Sequence, residues 1–257
     1  MKDFIAVARD AALQAGRMLR ENIHGLREIT YKSDINLVTE MDMRSERMIV
    51  EMLRVAFPDH GVIAEEETKL SNASGYTWII DPLDGTTNYA HGYPCFAVSI
   101  ALKHEDDVIL GVVYDPMRDE LFAAQKGRGA YLNGQPIKVS EADTLIKSLL
   151  ATGFPYDRKV SDKNNLYYFY NLLMASQEIR RDGSAALNLC YVANGRLDGF
   201  WELKLKPWDV AAGSLIVNEA GGVVSDLSGK RFDMHTEEIL VSNGRIHRQM
   251  IEVLQKS

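Results

Sequence analysis

With 257 residues the chain is long enough to bury a substantial core, as one large domain or two small ones, and its 46% hydrophobic and 25% charged content argues against a disordered or fibrous class. A formal charge of −7 argues against broad, non-specific attraction to nucleic acid or anionic membrane, although not against an anionic substrate, because bound metal reverses the local sign. Two cysteines, Cys95 and Cys190, are too few for a disulfide framework, form no CxxC pair and sit among apolar residues, as buried thiols of a reducing compartment do.

The first segment is interrupted by Arg9, Asp10, Arg17 and Arg20, so it has no signal core, and no run is long enough to cross a membrane; a cytoplasmic location is expected. Without a secretory signal, the sequon Asn72-Ala73-Ser74 carries no weight. In that first segment Ile5, Ala8, Ala12, Ala15 and Leu19 recur at helical spacing and predict an amphipathic helix over 4–22. A short strand around 28–31 and the polar loop Lys32-Ser33-Asp34-Ile35-Asn36 follow. The segment 37–42 leads into a second helix, with Met41, Met48, Ile49, Met52, Leu53 and Ala56 as its buried stripe and Pro58 as its stop. By itself, Asp42 reads as a capping-box residue with Thr39. A short buried strand over 61–64 ends in Glu65-Glu66-Glu67. Alone, that acidic run is a solvated loop; at a strand's exit, it stands where α/β proteins place their sites. A turn-rich loop over 70–75 comes next.

The stretch Trp78-Ile79-Ile80-Asp81-Pro82-Leu83-Asp84-Gly85-Thr86-Thr87-Asn88 organises the rest. An apolar strand breaks at Asp81-Pro82 and delivers Asp81 and Asp84 to its exit, where the chain turns into a helix. A helix N-terminus offers unpaired N–H groups and a positive dipole end to an anion such as phosphate. Two carboxylates would repel that anion unless divalent cations sit between them, and hard oxygen ligands of this kind favour Mg²⁺.

Paired strands are expected over 95–103 and 108–115, then strands over 120–125 and 130–132 with a hairpin turn at Asn133-Gly134. Gly127-Arg128-Gly129 lacks the third glycine and the helix of a dinucleotide loop and reads as a turn. Strands over 149–152, 178–181, 198–203 and 239–242 then alternate with helices over 162–175, 184–194 and 245–255, and with one opened by Pro207-Trp208-Asp209 and closed by Gly221-Gly222. By itself, Asp209 is a helix-start residue that complements the dipole. With no linker, repeat or low-complexity tract, a single α/β unit of alternating layers is expected, its N-terminal half (about 1–140) holding the main acidic motif and its C-terminal half (about 141–257) the second.

Ile63-Ala64-Glu65-Glu66, Asp81-Pro82-Leu83-Asp84-Gly85-Thr86-Thr87-Asn88 and Trp208-Asp209-Val210-Ala211-Ala212-Gly213 together resemble the inositol monophosphatase family of Mg²⁺-dependent phosphatases. The likeness extends through 37–42, Gly183-Ser184-Ala185-Ala186 and Glu219-Ala220-Gly221-Gly222, and so covers nearly the whole chain. It implies the layered α/β sugar-phosphatase fold, a homodimer, and inhibition by Li⁺. At matching positions it implies that Glu66 and Asp81, with the Leu83 carbonyl, hold one Mg²⁺, and that Asp81, Asp84 and Asp209 hold a second. Glu66, with Glu65 nearby, would help place a weaker third. Thr86, Asp42 and Glu66 form the implied catalytic set, the Thr86 hydroxyl paired with Asp42 to orient or deprotonate a metal-activated water. Backbone N–H groups of Gly85 and Thr86 would hold phosphate oxygens. Asp84, Gly183, Ser184, Ala185 and Glu202 would surround the sugar hydroxyls, a carboxylate such as Glu202 being a natural acceptor from a polyol. Lys32 would screen the metal loop. Asn36 stands where relatives often carry Asp, in a loop one residue shorter, and so bears on the affinity of the nearest metal site.

Relatives of that fold act on fructose 1,6-bisphosphate, 3′-phosphoadenosine 5′-phosphate or histidinol phosphate. Thr87-Asn88 favours the inositol branch, so myo-inositol 1-phosphate is the expected substrate and fructose 1,6-bisphosphate the next, with Arg180 or Arg181 as the cation for a second phosphate. A regulatory member that binds RNA and protein is the reading from another class; the acidic balance gives it no electrostatic support. The carboxylate spacing does not match a twelve-residue calcium loop.

Overall fold

The computed structural model describes residues 3–25, 29–31, 37–71 and 74–255; Lys32, Asn36 and the Asn72-Ala73 pair of the sequon lie outside them. Helix α1 (Phe4–Asn22) starts where the Asp3 carboxylate accepts from the Ile5 N–H, and its stripe of Ala8, Ala12, Ala15 and Leu19 is buried. Strands β1 (Ile29–Tyr31) and β2 (Leu37–Thr39) pair antiparallel ahead of helix α2 (Glu40–Ala56). Strands β3 (Gly61–Ala64), β4 (Lys69–Leu70) and β5 (Tyr76–Asp84) lead to the short helix α3 (Thr86–Ala90). A meander follows: β6 (Ala97–His104), β7 (Asp107–Asp115), β8 (Glu120–Gln125), β9 (Ala130–Leu132) and β10 (Gln135–Pro136). The second half contains β11 (Leu149–Thr152), α4 (Leu166–Ala175), β12 (Glu178–Arg180), α5 (Ala185–Ala193), β13 (Gly199–Leu203), α6 (Pro207–Glu219), β14 (Val223–Ser225), β15 (Glu238–Ser242) and α7 (His247–Leu254).

Apart from the β1-β2 pair, two sheets alternate with three helix layers. The large sheet has the order β10-β9-β8-β7-β6-β5-β3-β4, with β3 and β5 parallel; the small one has β12-β11-β13-β15-β14, with β11 parallel to both neighbours. Helices α1 and α2 cover one face of the large sheet, α5 and α6 lie between the sheets, and α4 and α7 cover the far face of the small sheet. Because side chains alternate along a strand, β5 feeds both cores: Trp78 and Ile80 pack under α1 and α2, Ile79 toward α5 and α6. Emptying the Trp78 position would cost on the order of 3–5 kcal/mol.

Four differences from the sequence expectations have local causes. The strand does not break at Asp81-Pro82 but runs on to Asp84. Lys69–Leu70 forms an edge strand on β3 instead of belonging to a turn. The helix expected over 162–175 begins only at Leu166, because Asn165 has a left-handed φ of +72° and commits its side-chain amide to Thr152, Gly153 and Trp201. The short strands β2, β10 and β14 carry too few residues for a period to register.

Candidate active site

The site is a cleft of about 480 Å³ at the end of β5. Asp81 is 1% exposed and continues the Ile79 side of β5, facing the inter-sheet layer. Asp84, three residues on, would face the opposite way on an unbroken strand. Asp81 pairs with Ser99 and Asp84 with Ala97, so three steps on β5 match two on β6. That single extra residue is a β-bulge, and it turns Asp84 back toward Asp81. Pro82, which has no N–H to give a ladder, sits inside it. The bulge is pinned from α2 by Ser45, whose hydroxyl donates to the Pro82 carbonyl at 2.7 Å.

Each acidic side chain is held from a different element. Asp81 accepts from the Leu83 N–H at 3.0 Å. Asp84 accepts from the Ser184 hydroxyl at 2.6 Å and the Ala186 N–H at 2.7 Å, so the start of α5 orients it. Asp209 accepts from the Lys206 N–H at 2.6 Å, so it caps α6 as the helix-start reading expects, and it also lines the cleft.

At the end of β3 the acidic run divides. The Glu65 N–H continues the ladder to Ile80, and Glu65 lines the cleft, where its charge acts on Asp81. The N–H groups of Glu66, Glu67 and Thr68 turn the other way, onto the Glu46 carboxylate at 2.9, 3.0 and 2.8 Å. Glu65, not Glu66, is the member brought to Asp81. Glu46 is 2% exposed and absent from the sequence expectations. Its signal was available: Met41, Asp42, Ser45, Glu46 and Ile49 share one buried helical stripe, which leaves three polar side chains inside without an apolar reason to be there.

The buried Asp42 lies opposite α3 and accepts from the Thr86 hydroxyl at 3.0 Å; the same hydroxyl lies 3.1 Å from the Leu83 carbonyl. The expected pairing of Asp42 with Thr86 is therefore present, while the side chain of Thr39 lies outside the described residues. Helix α3 spans only five residues, so its dipole is that of little more than one turn. Gly85 before it has φ +97°, and a Cβ there would stand 3.0 Å from the Cys95 carbonyl. The Asn88 side chain, another unanticipated element, donates to the carbonyls of Cys95 and Asp182 at 2.7 Å each and ties α3 to the loop before α5. Gly183, Ser184, Ala185 and Glu202 also line the cleft.

Burial raises Asp81 well above the usual carboxylate range, reinforced by the charges of Glu65, Asp84 and Asp209. Burial also raises Asp84, against the pull of its Ser184 and Ala186 hydrogen bonds. Asp209 is pushed up to about 7 by burial and Asp84, and Glu202 to about 8 by burial, Asp209 and Asp84. Among the described residues no three acidic, histidine or cysteine side chains are already gathered at chelating distance. The carboxylates share a wall rather than a closed cage, and their protonation-prone state is what a set of hard oxygen donors shows without its cation. The donor set fits a divalent ion of the Mg²⁺ kind.

An acidic cleft walled by Gly85, Thr86 and the start of α5 suits an enzyme, and the likeness to inositol monophosphatases makes the chain a phosphoric monoester hydrolase. Comparison with known proteins narrows the class: the inositol monophosphatase family model matches residues 1–257, and the chain belongs to that family, one of metal-dependent enzymes. It is 44% identical to the inositol-1-monophosphatase of Synechocystis over 256 residues, covering 99% of this chain and 89% of that one. It is 42% identical to the Nus factor SuhB of Pseudomonas aeruginosa over 262 residues, covering 99% and 97%. The structure of an inositol monophosphatase from Anabaena (Nostoc) superposes with a TM-score of 0.90 at 45% identity, covering 98% of this chain and 94% of that one. No helix among the described residues is long and apolar enough to cross a membrane.

Proposed function

We propose that this enzyme hydrolyses a small phosphorylated polyol, myo-inositol 1-phosphate foremost, with Mg²⁺ as cofactor and Li⁺ as inhibitor. What supports this most is the convergence of Asp81 and Asp84 from β5, Asp209 from α6 and Glu65 from the end of β3 on one cleft. These carboxylates, with the Leu83 carbonyl, would hold two or three Mg²⁺ ions; Glu65, the member of the acidic run that lines the cleft, would take the part expected of Glu66. Bound there, the ions would neutralise the phosphate and lower the pKa of the attacking water.

The chain's own groups supply the rest. With its proton directed to Asp42, Thr86 leaves its lone pairs to accept from that water and fix its line of approach. Gly85 and Thr86 present backbone N–H groups to the phosphate oxygens, and the left-handed turn at Gly85 lets the chain pass close beneath them. Ser184 and the Ala186 N–H keep Asp84 in place, and Glu202 accepts from the polyol's hydroxyls. Buried, unpaired Cys95 and Cys190 accord with a cytoplasmic enzyme. A homodimer belongs to the same reading, and light scattering tests it.

Phosphate release from myo-inositol 1-phosphate, fructose 1,6-bisphosphate and 3′-phosphoadenosine 5′-phosphate, with and without Mg²⁺, tests the proposal. Mg²⁺-dependent turnover led by the inositol ester is expected; a faster bisphosphate would move the enzyme to the fructose branch. The 42% identity to a Nus factor favours a second reading, a regulatory binding role. No release from any of the three by folded protein would put that second reading first.

A further inference from the structure

Among the described residues, five non-glycine residues have positive φ. Glu105, Asp119 and Asn133 sit in hairpin turns, where such backbone is ordinary. The other two, Asn165 and Lys204, anchor the same loop, 153–165. At its root, the Asn165 amide donates to the Thr152 hydroxyl at 2.8 Å and the Gly153 carbonyl at 2.6 Å, and accepts from the Trp201 indole at 2.7 Å. Gly153 lies flush on the Glu202 carboxyl, with no room for a Cβ. Further along, the Lys204 ammonium donates to Asp157 at 2.6 Å and the Ser161 hydroxyl at 2.7 Å.

Lys204 follows β13, two residues after Glu202, with φ +62°. That conformation favours glycine, and a lysine keeps it only where its surroundings hold it there. Its side chain is 19% exposed and that of Asp157 47%, so the clasp is shielded from water only on the lysine's side. Between the two anchors lies Tyr156, which lines the cleft although 54% exposed. An aromatic ring over an acidic cleft is poorly placed for packing and well placed for a roof. Its hydroxyl feels all four carboxylates, whose charges, after burial, raise its pKa.

We propose that Lys204 is a specificity-determining positioning residue, which by clasping Asp157 and Ser161 holds Tyr156 as a fixed roof over the cleft and restricts the site to compact phosphate monoesters. The proposal rests on the phosphatase reading for its substrate and on the geometry alone for its clasp. A roof tied to the strand that bears Glu202 sets the height of the polyol space, so substrates of nucleotide size should gain most from its release.

The test uses the full-length protein and the variants Lys204→Met, Asp157→Asn and Lys204→Gly. The last also removes the backbone strain, so its Tm should not fall while the clasp is lost. Hydrogen exchange over 155–161 should quicken about tenfold in each. With Mg²⁺, KM for myo-inositol 1-phosphate should rise about fivefold with kcat within about twofold, and the ratio of kcat/KM for AMP over the inositol ester should rise about tenfold. Folded variants with wild-type exchange, or with an unchanged substrate ratio, overturn the proposal. If wild-type protein releases no phosphate from either ester, the phosphatase reading fails separately, and exchange over 155–161 decides the clasp.

Discussion

Asp84 is the residue on which the two halves of the site meet: it leaves β5 at the bulge and is received by Ser184 and Ala186 at the start of α5. An asparagine in its place would keep the shape and lose the charge. Asp84→Asn should therefore fold with a near-wild-type Tm and lose at least about 100-fold in kcat/KM with Mg²⁺, read by phosphate release. Thr86→Ala removes the hydroxyl bound to Asp42 and should lower kcat about 10²- to 10⁴-fold while Mg²⁺ binding, measured by calorimetry, persists. Asp81, Asp84 and Asp209 could be brought to one cleft from the sequence because they stand in the motifs that carry the family resemblance, whereas Glu202 stands in no motif and came from the resemblance alone. Choosing between Glu65 and Glu66 could not be done that way. It depends on which backbone N–H groups a carboxylate twenty positions earlier captures.

Among the elements, the loop after β3 shows how a buried carboxylate outside the cleft fixes the backbone next to a residue that lines it. Glu46 accepts from three backbone N–H groups and the Thr68 hydroxyl, so its loss leaves several half-buried donors without their partner together. Glu46→Ala should cost about 2–4 kcal/mol of stability and raise the Mg²⁺ concentration for half-maximal activity; an unchanged denaturation midpoint and Mg²⁺ requirement would contradict this role. Long, periodic elements such as α1, β8 and β11 were legible to the residue, since burial alone specifies them. The bulge in β5 was not: Pro82 announces an irregularity, but only the register against β6 shows that the strand continues through it.

Across the whole molecule, the cleft is a liability without its cations. The raised carboxyls bind more protons in the folded than in the unfolded state between the ordinary carboxylate value of about 4 and the values of about 7 for Asp209 and about 8 for Glu202. Stability of metal-free protein therefore falls as pH rises through that window. In EDTA, the Tm should be lower at pH 8 than at pH 5, and Mg²⁺ should raise it more at pH 8 than at pH 5. A Tm in EDTA that climbs across this range would show that other groups dominate. The layer order was legible only in outline, because the pairing of β11 with both β12 and β13, and the burial of α5 and α6 between two sheets, arise from contacts far apart in sequence.

The most direct test of the central claim is phosphate release from myo-inositol 1-phosphate by wild-type protein and Asp84→Asn, each in Mg²⁺ and in EDTA. Turnover by the wild type in Mg²⁺ alone, lost in the variant, is the predicted result. Release that persists in EDTA, or in the variant at wild-type rate, would contradict a metal-dependent site built on Asp84.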